Sequence, residues 1–275
     1  MRKNIFDLMN DSEIDVENEY RRIHELFEED IFYDDYQTYT MCEYIEDYFF
    51  INWKGRGRSL SVDDMLISLR IRHKRGTIKD VTNLLLYIEV ILNLISISDI
   101  ENLENTSTCY NVNLYFTLRD NIMNLLEDLN YEVKELEDNK LIIVDKDSVL
   151  SAVAETNKKI ADKVVEYRRF VLKGKIEEKR EILNLLANEI EGMKPQFKGT
   201  TYSNLMDDVQ FMLNNLNIRH NNLSGQYKKE YIVNLPKEEL EKLYDQTFDM
   251  ILGVYVIDKY LKNKKDIDEL KNNIK

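Results

Sequence analysis

Tyr202, Leu205, Met206, Val209, Leu213 and Leu216 return at steps of three and four, the spacing of one face of an α-helix, and similar stripes recur along most of the chain. Breakers are scarce. The 275 residues include only 8 Gly and 2 Pro, fewer than a turn-rich β sandwich or barrel needs, so the chain is expected to be mainly α. Its length fits one large domain or two modest ones, and two helical lobes are expected.

The C-terminal lobe, 147–275, reads as a four-helix bundle. Val149, Val153, Ile160, Val164, Tyr167 and Val171 form one stripe, and Gly174 permits a sharp turn into Ile176–Ile190. Thr201–Leu216 follows Pro195 and Gly199, and Pro236 opens a last stripe through Leu240, Leu243, Tyr244, Phe248, Ile251, Leu252 and Tyr255. The final KNKKDIDELKNNIK is charged and expected to fray.

In the N-terminal lobe, 1–130, Thr77–Ile95 and Tyr110–Leu129 have helical periods. The period then changes. Tyr131, Val133 and Leu136, with Leu141 to Val144, predict a small β hairpin turning at Asp138 and Asn139, a wing over 131–146 that must pack on helices to be stable.

Charge is segregated. From Asp11 to Asp47 there are 14 acidic residues against Arg21 and Arg22, interleaved with aromatics. A helix would sort them, with Phe27, Ile31, Tyr44, Tyr48 and Phe49 inward and carboxylates outward, an acidic face able to dock a basic protein partner. The sign then reverses. Lys54 to Lys79 contains eight basic residues against Asp63 and Asp64, with GRGR as a loop, Ser61 as a helix cap and Gly76 ending that helix. Arg56, Arg58, Arg70, Arg72 and His73 are the candidate phosphate-binding surface there, because an overall charge of -13 confines nucleic-acid contact to a local patch.

Several classes are excluded on pattern. The sequence carries no glycine-rich phosphate loop, zinc-ligand set, nucleophile elbow or kinase signature, and neither cofactor nor metal is expected. Cys42 and Cys109 have neither metal nor disulfide spacing and read as small buried side chains in a reducing cytosol. The opening MRKNIFDLMNDSEID lacks the apolar run of a signal peptide, and Leu84–Ile95 is shorter than the roughly 20 residues a bilayer requires. A cytoplasmic protein without membrane contact is expected.

The densest polar cluster is LNNLNIRHNN, Leu213–Asn222. Arg219 and His220 are its candidate catalytic pair, with Asn217, Asn221 and Asn222 as substrate-binding amides; alternatively the same residues form a cationic helix end with Asn221 as its cap. This motif, with the hairpin YRRFVLKGKIEEKREILNLLANEIE before it and the aromatic-rich helix after it, resembles the HEPN superfamily of helical domains over about Asp147–Leu261. The resemblance implies a bacterial phage-defence or toxin-type protein that binds RNA, dimerises and cleaves without metal, the Arg stabilising phosphate charge and the His moving protons. Its ribonucleases place the His four to six positions beyond the Arg. Here Arg219 and His220 are adjacent, and no other His has an Arg at that spacing. The competing expectation is a non-catalytic helical interaction or dimerisation protein.

Overall fold

The structure, a computed structural model, describes residues 14–34, 37–72, 76–98 and 112–274. It is mainly helical with small β hairpins, and it divides between Ile143 and Val144 into two compact units.

The first unit opens with α1 (Val16–Phe27). Asp15 caps it by accepting from the Glu17 and Asn18 amides, and Tyr20, Ile23 and Phe27 form its buried edge. The acidic segment then departs from the helix expected of it. Strands β1 (Asp30–Asp34) and β2 (Gln37–Thr40) pair antiparallel, Phe32 opposite Tyr39 and Tyr33 opposite Thr38, with a bulge between Asp30 and Phe32. The cause is composition: Ile31, Phe32, Tyr33, Thr38, Tyr39 and Thr40 are aromatic or β-branched, types that favour the pleated backbone.

Thr40 and Glu43 make a reciprocal capping box that starts α2 (Met41–Tyr44), which widens at once into a π-helical stretch, Ile45–Phe50. The wider turn brings Phe50 inward beside Ile45 and leaves Tyr48 half exposed, so Tyr48 is not in the core stripe predicted for it. In the following loop Gly55 lies against the Trp53 ring, where a Cβ would stand 2.7 Å from ring carbons.

Ser61 does cap the next helix, α3 (Val62–Ser68), accepting from the Asp64 amide at 3.0 Å. That helix closes well before Gly76. Arg70 takes the left-handed conformation at φ 58°, while the Ile71 amide donates to Leu66 and the Arg70 amide to Ile67. This closure lets Ile71 bury alongside Leu66, which outweighs the strain on a non-glycine residue.

Asp80 caps α4 (Val81–Ile97), so Thr77–Lys79 lies outside the helix that was predicted to include it. Leu84, Leu85, Ile88, Ile91, Leu92 and Ile95 are buried, making α4 the centre of this core. Helix α5 (Val112–Asp128) leads into the expected hairpin, β3 (Tyr131–Glu135) and β4 (Leu141–Asp145), with Asn139 left-handed at its turn. Asn93 donates to the Leu141 carbonyl at 2.7 Å and accepts its amide at 2.9 Å, and the Glu89 carboxylate accepts the Ile143 amide at 3.0 Å. Two side chains one helical turn apart thus satisfy a strand's outer backbone groups.

The second unit begins with α6 (Ser148–Thr156), capped by Asp147, and α7 (Ala161–Tyr167). The stripe expected to run unbroken from Val149 to Val171 is broken at Asn157 and again after Tyr167, and Val149 is 45% exposed. The second break has a plain cause: the Arg168 carbonyl accepts the Asp145 amide, and Arg169 bridges Val144, which requires extended chain. Gly174, at φ 79°, then turns into α8 (Ile176–Glu191). Short α9 (Lys194–Phe197), α10 (Ser203–Asn215), short α11 (Glu230–Val233) and long α12 (Lys237–Ile274) complete the unit. The C-terminal tail that was expected to fray continues as helix to Ile274.

Two charged side chains of this unit are buried among the described residues, Lys179 and Asp258, and Lys179 is the one that meets two carboxylates. Lys179 of α8 is 6% exposed, and its Nζ meets Glu241 at 2.7 Å and Asp245 at 2.8 Å, 5.4 Å from the centre of the Tyr167 ring. Tyr167 donates to Asp245 and stacks on Phe248 at 4.0 Å. Burial alone would raise the Glu241 carboxyl, but Lys179 and the Gly174 amide hold it below its ordinary range.

Lys179→Ala should cost about 3 kcal/mol, the lower end for breaking a buried pair because Asp245 keeps 35% of its side chain in water. Asn93→Ala should cost about 2 kcal/mol through the Leu141 backbone, both losses read from urea unfolding. A depressed carboxyl contributes fully at neutral pH and loses its contribution as pH falls through its folded pKa. Glu241→Gln should therefore flatten the acid limb of the stability profile.

Candidate functional site

The loop after α10 is built on asparagines. Asn217 turns the chain left-handed at φ 61°, a conformation Asn tolerates well. Its amide donates to Asn222 Oδ1 at 2.6 Å, and the Asn222 amide donates back to Asn217 Oδ1 at 3.1 Å. Asn222, 1% exposed, also donates from Nδ2 to the Tyr227 carbonyl, and its backbone carbonyl accepts the Lys229 amide. These two amides hold the loop together. Asn221 is exposed, its Oδ1 accepting the Leu223 and Ser224 amides in a local turn. It does not end the helix as the capping alternative had it; the left-handed residue is Asn217.

Arg219 lies inside this frame. Its guanidinium donates to Gln210 Oε1 and to the Ala187 carbonyl, each at 2.6 Å, and stands 3.4 Å from the Glu191 carboxylate. With 13% of its side chain exposed, it ties α8 to α10. His220 takes a different course, its ring stacked on Tyr227 at 4.6 Å and 18°. The structure thus joins Asn217 to Asn222 and gives Arg219 and His220 separate partners.

The basic stretch is also divided. Arg56 donates to the carbonyls of Ile51 and Ser59 and lies over the Phe50 ring, and Arg72 donates to Asp63 and to the Tyr20 hydroxyl. Both are internal ties. Arg58 and Arg70 are exposed, while His73 falls outside the described residues.

A concave site of about 240 Å³ forms in the first unit, where the sequence offered only a helix surface. Its walls come from the end of α1 (His24, Phe27, Glu28), from α2 and its π-helical continuation (Cys42, Glu43, Glu46), from α3 (Asp63, Leu66) and from Tyr87 of α4. His24, absent from the site residues expected from sequence, is half-buried, stacked on Tyr20 and 3.2 Å from the Tyr87 hydroxyl. A sequence signal existed: His24 follows Tyr20 by four and precedes Phe27 by three, on the apolar edge of α1.

Burial governs the site's electrostatics. It lowers the His24 pKa, with Arg72 adding to the effect and Glu28 opposing it, so the imidazole is neutral at pH 7. The Glu46 carboxyl is raised by burial and then by Glu28 and Asp63, although it accepts the Val62 amide at 2.6 Å. Burial drives the Cys42 thiol far upward, leaving it protonated and unsuited to nucleophilic attack. Among the described residues no group of His, Cys, Asp and Glu is arranged to hold a metal ion. Acceptors dominate, and such a wall suits a donor-rich cation such as a guanidinium or ammonium.

Arg219→Ala should destabilise the protein by about 2 kcal/mol through lost charged hydrogen bonds, and Arg219→Lys should recover little of that because it lacks the planar fork. His220→Ala should cost no more than about 1 kcal/mol, the scale of one aromatic stack. Thermal or urea unfolding of the three variants measures the contrast. Comparison of the chain with protein-family models, curated proteins and solved structures returned no match.

Proposed function

We propose that this chain is a non-catalytic helical interaction protein whose first unit docks a basic segment of a protein partner. The observation that carries this reading is the concave site on which Glu28, Glu43, Glu46 and Asp63 converge. Arg72, the basic residue nearest in role, is itself tied to Asp63 and Tyr20. An Arg or Lys side chain entering there meets several carboxylates at once, and partial burial makes each contact stronger than it would be in open water.

The partners of Arg219 weigh against the ribonuclease alternative. A phosphate-binding guanidinium needs its donors directed at substrate, whereas this one is directed at Gln210, Ala187 and Glu191. On this reading the C-terminal half serves as a helical bundle for binding rather than cleavage.

An arginine-rich peptide titrated against the full chain should bind with an affinity that falls as salt rises, and Glu28→Lys should weaken it by about tenfold or more. Binding that is insensitive to Glu28→Lys and Glu46→Gln would sink the assignment. Incubation with total RNA in EDTA supplies the opposing outcome: cleavage by the wild type that disappears in His220→Ala would restore the ribonuclease reading.

A further inference from the structure

Helix α12 has two apolar faces with different fates. Tyr244, Phe248, Ile251, Tyr255 and Asp258 are buried in the bundle. On a neighbouring face of the same helix, Val256, Tyr260, Asn263, Ile267, Leu270 and Ile274 follow at alternating steps of four and three. A mean step of 3.5 is the seam of a helix that wraps around another helix, with Val256, Asn263 and Leu270 at one core position and Tyr260, Ile267 and Ile274 at the other. The bundle face stops at Asp258, yet the seam runs to the helix end. Ile267, Leu270 and Ile274 are 41%, 57% and 75% exposed, while Tyr260 meets the edge of the Tyr202 ring. From Lys259 to Ile274 the helix extends about 24 Å at 1.5 Å per residue, a length that is marginal alone in water.

We propose that this seam pairs with the same seam of a second copy of the chain as a parallel two-stranded coiled coil. Asn263 decides the orientation. In a parallel pair it faces Asn263 of the other copy and the two amides satisfy each other, whereas an antiparallel pair over the same span sets it against Ile267. Flanking charges agree. In the parallel register Asp266 faces Lys271 of the second copy; antiparallel, Asp266 faces Asp266 and Lys264 faces Lys264. Lys271 is within 3.7 Å of its own Asp268 and is shared between the two carboxylates. Lys259 against Lys264 is the like-charged pair of the parallel register, and together with the short seam it keeps association weak and reversible. This inference does not rest on the basic-partner reading, which concerns the other unit.

Sedimentation equilibrium of the full chain should show a concentration-dependent doubling of the 32.8 kDa mass. Ile267→Asp with Leu270→Asp should remain monomeric at every concentration with the far-ultraviolet spectrum of the bundle retained. A wild type that stays monomeric throughout, or a double variant that still dimerises, overturns the proposal. Ile274→Cys should give a disulfide-linked dimer on mild oxidation, with wild type controlling for Cys42 and Cys109. A dimer that cannot be linked this way overturns the parallel arrangement.

Discussion

Burying the Lys179 ammonium would be prohibitive unless carboxylates met it, and α12 supplies them in a row: Glu241, Asp245 and Asp249 stand four residues apart. Glu241 and Asp245 hold Lys179, Asp245 also holds Tyr167, and Asp249 holds Arg168. Burial raises the Asp249 carboxyl, and Arg168 opposes that. Apolar contacts tolerate small rotations of a helix, but these charged contacts fix one. Once α12 is set, Phe248 lies on Tyr167, and Ile267, Leu270 and Ile274 near the helix end stay exposed.

The Leu213–Asn222 cluster carries a lesson about polar density. A loop that reverses between two helices must satisfy many backbone groups away from water, and Asn is suited to this because it donates, accepts and tolerates left-handed backbone. Asn217 and Asn222 close that circuit, and Arg219 secures it to α8 through the Ala187 carbonyl. Asn217, Asn222 and Arg219 are thus engaged by the fold itself, each with partners inside the unit.

The helical architecture was legible where an apolar stripe or run is buried: α10 and α12 follow their stripes, α4 its continuous apolar run, and Ser61 acts as the cap its position implies. The β3–β4 hairpin was legible from its change of period. Misread segments share a different cause. The Asp30–Thr40 hairpin mixes aromatics and carboxylates in a pattern that a helix could sort as well as a strand, and the π-helical turn at Ile45–Phe50 shifts the phase without any residue that announces it. The candidate site was illegible for a third reason. Arg219 meets Ala187, and His24 meets Tyr87, across sequence separations that local periodicity does not encode.

The clamp that α4 places on β4 has a consequence beyond local stability. A two-stranded ribbon exposes backbone donors and acceptors along its outer margins, and apolar strands such as Leu141–Val144 are those that recruit foreign chains. Asn93 and Glu89 occupy that margin with fixed, directional partners, so an incoming strand would have to displace a carboxamide and a carboxylate before it could form its first bond. The hairpin is thereby guarded against aggregation by the helix that also supports it.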